Sequence, residues 1–330
     1  MSLQSFFVLS KKIKKSMKEN LRIVAVEPIG IDKRKEEEIK QVFAKYKCEF
    51  SIYYDRKEDE QTLIDRIADN DIAIVSNIPL SKSVLEKCPN LKFLAIAFTG
   101  IDHIDLDYCK EKGITVVNAS GYATEAVSEL AIGLMLDVLR KITCFDTDIR
   151  NQGARNNFLG LELKNKTVGI IGMGAIGKRT AFLLKAFGAN VLAYSHSSNL
   201  VMEREGVEYV DFETLMRNSD IISLHIPLTK ETENLINSKA LQLCKPSAIL
   251  INTSRGKVID SEALADALNN DRLAGAGIDV YETEPPLNTN HPLLNAKNCI
   301  CVPHIAYATK ESFDKRIDIV VSNIEKWLSK

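Results

Sequence analysis

The residues able to do chemistry fall into four separated groups: the turn Gly172-Met173-Gly174-Ala175-Ile176-Gly177, the segment Thr253-Ser254-Arg255-Gly256, Glu284, and Pro303-His304. A glycine turn lets a pyrophosphate approach backbone N–H groups. The planar, always-charged fork of Arg255 can grip a carboxylate at two points. Glu284 offers an acid to orient an imidazole, and His304 offers the imidazole. Each group alone is common. In this order they supply the parts that hydride transfer to a small 2-oxo acid requires.

Adding a hydride to a ketone leaves an alkoxide, so a donor must deliver a proton as negative charge builds on oxygen. Protonated His304 suits that task, and a neighbouring carboxylate favours the charged imidazole. Arg255 would stabilise the developing charge in a closed, water-poor cleft. In the oxidative direction neutral His304 would take the hydroxyl proton.

Such residues need strand ends to hold them. Short apolar runs predict strands over 23–26, 50–53, 72–75, 93–97 and 115–117. Between them lie amphipathic stretches, 33–46 with Ile39, Val42 and Phe43 at helical spacing, and 61–68 with Leu63, Ile64 and Ile67 on one side. A long apolar stretch, 126–139, carries Val127, Leu130, Ala131, Leu134, Met135 and Val138 around most of its circumference and is expected to be buried on several sides. The alternation then restarts with strand 167–171, helix 175–187 and strands 191–194, 221–225, 248–252, 275–278 and 300–302. In that helix Ile176, Leu183, Leu184 and Phe187 form the expected buried stripe. Arg255, Glu284 and His304 each follow a strand, at the carboxyl edge where parallel sheets bind ligands.

Strands alternating with helices imply doubly wound parallel sheets, and 330 residues exceed what one core usually holds. The terminal stripe Phe313, Ile317, Val320, Val321, Ile324, Trp327 and Leu328 finds its natural berth on the first sheet, because the second is already finished. The expected α/β architecture is a Rossmann nucleotide-binding domain, residues 119–305, inserted into a flavodoxin-like substrate domain made of residues 1–118 and 306–330. Closure is expected at hinges near residues 118 and 305.

Within the glycine turn, Gly172 permits the tight bend, Gly174 lets a pyrophosphate come close, and Gly177 lets helix pack on strand, with Ala175 and Ile176 opening the helix toward the negative charge. About 20 residues on, an acid would bind the ribose 2′-hydroxyl of NAD. The sequence there is Tyr194-Ser195-His196-Ser197-Ser198, with neither acid nor arginine. NAD and NADP are both admissible, and Ser195, His196 and Ser197 are the candidate partners of the ribose or its phosphate.

From about residue 70 almost to the C-terminus, the chain resembles the D-isomer-specific 2-hydroxyacid dehydrogenase family. The likeness rests on Gly172 to Gly177, Asn252-Thr253-Ser254-Arg255-Gly256, Asp279-Val280-Tyr281-Glu282-Thr283-Glu284-Pro285 and Pro303-His304-Ile305-Ala306. Phe98-Thr99-Gly100-Ile101-Asp102-His103-Ile104-Asp105 resembles the family's substrate loop, and Tyr122 to Glu129 the start of its interdomain helix. The resemblance implies that Arg255 holds the substrate carboxylate and carbonyl, that His304 is the general acid/base, and that Glu284 pairs with it, with Glu282 a nearby competitor. It further implies a carboxylate cradle at the backbone of Thr99 and Gly100, a nicotinamide carboxamide contact at Asp279, and cofactor contacts around Thr253. His225 to Thr229, with Pro227, resembles the segment lining the adenosine side, His225 itself reading as structural or peripheral. A homodimer built around the helix from about Ala126 is implied as well.

Composition narrows the partners. Hydrophobic residues make up 45% and charged residues 26%, so the chain is globular rather than disordered, and no apolar run is long enough to span a bilayer. Lys and Arg (43) nearly balance Asp and Glu (44), which leaves no field to recruit nucleic acid or an anionic membrane. Seven cysteines without metal-like spacing point to a reducing cytoplasm and to no metal, with Cys299 and Cys301 expected as small buried hydrophobes on one strand face. Lys11, Lys12, Lys14, Lys15 and Lys18 follow Phe6 to Leu9, the reverse of a secretory signal, and are expected in a solvated extension.

The stretches 75–79 and 95–98 hold no arginine, which disfavours a phosphate-bearing substrate, while Phe98 supplies an apolar wall beside the cradle. Glyoxylate, hydroxypyruvate, pyruvate and branched 2-oxo acids fit, with the first two preferred. The rival reading is a nonenzymatic NAD(H)-sensing corepressor of the same fold, since fold alone does not fix function.

Overall fold

The computed structural model describes residues 20–330; the basic N-terminal segment lies outside the described residues. Among the described residues two compact units emerge, one comprising residues 20–97 with His103–Asn118 and Ile319–Lys330, the other Phe98–Asp102 with Ala119–Asp318.

In the first unit five strands, β1 (Leu21–Ala25), β2 (Cys48–Ile52), β3 (Ile72–Val75), β4 (Phe93–Ile96) and β5 (Thr115–Asn118), pair in parallel in the order β2-β1-β3-β4-β5. Every residue of β3 and β4 is buried, as an interior strand covered on both faces must be. Helix Lys33–Ala44 starts where the Asp32 carboxylate accepts from Lys35 N, and it turns Ile39 and Phe43 into the core, where Phe43 meets Phe50 edge-on at 5.8 Å. Helix Glu60–Ile67 is capped the same way by Asp59. The C-terminal helix Lys310–Leu328 brings Trp327 to within 5.3 Å of the Phe93 ring. Arg56, well away from 75–79 in sequence, donates to Asn77 Oδ1 at 2.7 Å, so the fold does place an arginine on that loop. Its charge is matched by Glu27 at 2.6 Å and Glu58 at 2.7 Å.

The second unit holds seven parallel strands: β6 (Thr167–Ile171), β7 (Asn190–Tyr194), β8 (Val207–Tyr209), β9 (Ile221–Leu224), β10 (Ile249–Asn252), β11 (Gly275–Ile278) and β12 (Cys299–Cys301). Their order is β12-β11-β10-β9-β6-β7-β8. The chain reverses direction across the sheet between β6 and β9, the switch point at which a doubly wound sheet opens a ligand crevice beyond its strand ends. β8 has no counterpart among the expected strands, because Glu208 interrupts Val207 and Tyr209 and leaves no apolar run.

Helix Thr124–Arg140 buries Ala126, Val127, Ser128, Ala131, Ile132, Leu134, Met135 and Leu139, which together cover more than one face. It packs on helix Ala175–Ala186, and here the expected stripe holds at Leu184, with Leu183 against the core, and fails at Phe187. The buried positions are Gly177, Thr180, Ala181 and Leu184, whereas Phe187 is 45% exposed. Small residues let the two backbones approach closely enough for Ser128 Oγ to donate to the Ile176 carbonyl at 3.3 Å, while Phe182 and Phe187 are turned outward.

Candidate active site

Arg255, Glu284 and His304 leave the sheet on the loops that follow three neighbouring strands, β10, β11 and β12. Asn252, fully buried at the end of β10, ties the first loop into shape. Its Oδ1 accepts from Ser254 N at 2.9 Å and Ser254 Oγ at 2.7 Å, and its Nδ2 donates to the Arg255 carbonyl at 2.9 Å. The Arg255 guanidinium then donates from Nη1 to the Ser254 carbonyl at 2.8 Å and from Nε and Nη2 to Asp102 Oδ1 at 3.3 and 3.2 Å. Gly100 lies against that guanidinium so closely that an added Cβ would sit 1.6 Å from Nη2.

His304 occupies left-handed backbone, φ 54°, a conformation that costs a non-glycine residue about 1 kcal/mol or more and clusters at functional sites. Asp279 holds it there. The His304 N–H donates to the Asp279 carbonyl at 2.8 Å, and the Asp279 carboxylate accepts from Ile305 N at 2.7 Å and Ala306 N at 3.0 Å. Asp279 is wholly buried, and this burial raises its carboxyl to about 6 against the two N–H bonds that favour its charge. Holding the turn is a task for Asp279 that sequence reading missed.

His304 Nδ1 lies 3.0 and 2.9 Å from the two Glu284 carboxylate oxygens. A carboxylate only accepts, so Nδ1 carries the hydrogen and Nε2 is left for proton exchange. Glu282 is engaged elsewhere, with His291 Nε2 at 3.0 Å and with Ser261 Oγ, a pairing that no sequence signal marks. The Tyr307 ring stands edge-on to His304 at 5.2 Å, and Phe98 packs on both Tyr307 at 4.9 Å and Tyr122 at 6.0 Å. Arg316, itself buried, lies over the Phe98 and Phe313 rings.

The glycine turn stands at the carboxyl end of β6. Gly172 has φ 98° and no room for a side chain, since a Cβ would lie 2.4 Å from the His225 carbonyl; at Gly177 it would lie 2.0 Å from the Gly172 carbonyl. Gly174 caps the helix with open space beside it and no side-chain cap, which leaves the first-turn N–H groups of Ala175, Ile176 and Gly177 to an anion. Two buried polar atoms near the sheet edge, Thr253 Oγ1 and His225 Nδ1, have no protein partner. His225 Nε2 meets Ser223 Oγ at 2.9 Å, and burial lowers the imidazole to about 4, so it is neutral. His196 and Ser197 are exposed after β7, Ser195 is half-buried, and Pro227 is exposed with its carbonyl accepting from Thr232 Oγ1 at 2.7 Å. These residues fit a dinucleotide: the turn for its phosphates, the 195–197 loop for the adenosine ribose, and Thr253 on the sheet edge.

The family model for the D-isomer specific 2-hydroxyacid dehydrogenase NAD binding domain matches residues 132–306. The chain belongs to the D-isomer-specific 2-hydroxyacid dehydrogenase family. It is 39% identical to the hydroxypyruvate reductase of Blautia hydrogenotrophica over 84% of this chain and 88% of that protein. It is 44% identical to the glyoxylate reductase of Thermococcus litoralis over 74% of this chain and 76% of that one. Among solved structures, an acyclic imino acid reductase in complex with NADPH and D-Arg superposes with a TM-score of 0.86 at 33% identity, covering 94% of this chain and 97% of that one. Membership makes the protein an oxidoreductase acting on CH–OH donors with NAD or NADP, its two parallel-sheet units being those of the family. No helix among the described residues is long and apolar enough to cross a membrane.

Proposed function

We propose that this dehydrogenase interconverts a small 2-oxo acid, glyoxylate or hydroxypyruvate foremost, with its D-2-hydroxy acid, using His304 as general acid/base. The observation that carries this reading is the Glu284 carboxylate clasping His304 Nδ1 through both oxygens. The bound, reduced dinucleotide supplies the hydride. His304 delivers a proton from Nε2 to the nascent alkoxide, and Glu284 stabilises the imidazolium before transfer and fixes its tautomer. Arg255 binds the substrate carboxylate and carbonyl, with the backbone of Thr99 and Gly100 completing the cradle. The aromatic group Phe98, Tyr122 and Tyr307 supports a compact substrate, in keeping with the names of the two sequence relatives.

Residues 119–305 would form the nucleotide domain, and residues 1–118 with 306–330 the substrate domain. A homodimer would be built around the helix from about Ala126; Ile142, Ile149, Leu159 and Leu161, on and after the neighbouring helix Ile142–Arg150, are exposed apolar side chains in keeping with that reading. A cytoplasmic setting accords with seven free cysteines.

The test is a panel of 2-oxo acids with NADH and with NADPH, followed at the nicotinamide absorbance. Oxidation with glyoxylate or hydroxypyruvate supports the assignment and fixes the cofactor. Oxidation confined to larger 2-oxo acids overturns the substrate reading, and none with any acid returns the case to the NAD-sensing alternative.

A further inference from the structure

β12 carries two thiols side by side, Cys299 Sγ and Cys301 Sγ, 3.7 Å apart on one face of a three-residue strand. Both are half-buried rather than enclosed as small core hydrophobes. They are the two cysteines whose sulfurs meet among the described residues: Cys48, Cys88 and Cys109 are buried, Cys144 stands exposed, and burial pushes the Cys244 thiol up to about 12. The strand is also a free edge, paired only with β11 through Ala276, Gly277 and Ile278. An edge can shift without breaking a second ladder.

The surroundings favour one sulfur as nucleophile. Either sulfur can donate across the pair, and Cys301 Sγ also faces the Leu293 carbonyl at 3.6 Å; with Cys299 as donor the Cys301 thiol is drawn down to about 7. Cys299 moves the other way because it holds the shared hydrogen. Beside the pair, the Tyr281 hydroxyl shares its one hydrogen between the carbonyls of Ile278 and Val302, at 3.2 and 3.1 Å. Val302 in turn donates to Ile278, and two residues later the His304 N–H is fastened to Asp279. Two residues, Val302 and Pro303, therefore separate Cys301 from His304, along a backbone clamped at Val302 and at His304.

We propose that Cys299 and Cys301 form a reversible oxidation site at which a hydroperoxide closes a disulfide that displaces His304. The Cys301 thiolate attacks the peroxide, an S–O bond forms as the O–O bond breaks, and hydroxide leaves; sulfur is oxidised by two electrons and the peroxide is reduced. Cys299 sulfur then attacks the sulfenic sulfur, the S–S bond forms, the S–O bond breaks, and water leaves with the Cys299 proton. Closing the sulfurs from contact to about 2.05 Å pinches β12 and pulls on Val302. A small-molecule dithiol restores both thiols by exchange.

The loss of activity rests on the role given to His304, whereas the crosslink does not, so two readouts keep the ideas apart. The full-length protein is treated with hydrogen peroxide, and turnover on its best 2-oxo acid is followed beside the mass of tryptic peptide Asn298–Lys310, which holds both cysteines and no other. Expected are the loss of two hydrogens from that peptide and a fall in kcat of roughly tenfold to a hundredfold, the scale of an ångström misplacement. Dithiothreitol should reverse both. Cys301→Ser and Cys299→Ser should keep full basal activity and lose the sensitivity, whereas Cys144→Ser should keep it. Equal inactivation of Cys301→Ser, a peptide without the crosslink, or a crosslink with undiminished turnover would each overturn the proposal.

Discussion

A single carboxylate oxygen, Asp102 Oδ1, accepts from both Nε and Nη2 of Arg255, a residue 153 positions away in the chain. With Nη1 on the Ser254 carbonyl, the guanidinium is held along one side and at one end, and the plane of the fork is fixed before any substrate arrives.

Removing that acceptor should therefore cost binding more than chemistry. Asp102→Ala, which leaves no accepting oxygen, is expected to raise KM for the 2-oxo acid about fivefold with kcat little changed, because ordering a loose arginine side chain costs roughly 1 kcal/mol. Steady-state kinetics decide it, and a KM that falls would mean that Asp102 competes with the substrate carboxylate instead.

Asp279 anchors the turn that presents His304, through two backbone N–H groups in a fully buried place. Asp279→Asn keeps one accepting oxygen and turns an NH2 toward the other N–H. The unpaired buried donor should destabilise the fold by roughly 1–3 kcal/mol and lower kcat. Thermal unfolding and turnover, measured on one preparation, should fall together; a drop in melting temperature with unaltered kcat would separate the turn from catalysis.

His225 gives a pH signature. Its folded-state value is depressed from 6.5 to about 4 by burial, so the folded state binds fewer protons in that interval. Its contribution is complete above pH 6.5 and is lost as pH falls to about 4, roughly 3 kcal/mol in all. Asp279 acts in the opposite sense, since an acid raised from 3.8 to about 6 gains stability as pH falls through that window. The difference between wild type and His225→Gln cancels this second contribution. Urea unfolding should show the wild type losing roughly 3 kcal/mol relative to the variant between pH 7 and pH 4; parallel profiles would mean that His225 is not a buried neutral group.

The sheet of the second unit was readable because buried parallel strands are short apolar runs bounded by turn residues, so 167–171 and 275–278 announce themselves. Arg255, Glu284 and His304 could be placed at strand ends for the same reason. What could not be read is whatever depends on the course of loops. Nothing in the sequence brings Asp102 to Arg255, Arg56 to Asn77, or His291 to Glu282. The failure of the stripe at Phe187 has a similar origin: periodicity finds large apolar residues, whereas a close helix contact also selects small ones such as Gly177 and Ala181.

The most direct measurement is single-turnover reduction of glyoxylate or hydroxypyruvate by His304→Gln, beside its dissociation constant for the reduced dinucleotide. Glutamine keeps the bulk of the side chain but moves no proton, so the rate should fall at least about a hundredfold while dinucleotide affinity holds within a few-fold. A variant that turns over at the wild-type rate would remove His304 from the chemistry and leave the Glu284 pair without a catalytic purpose.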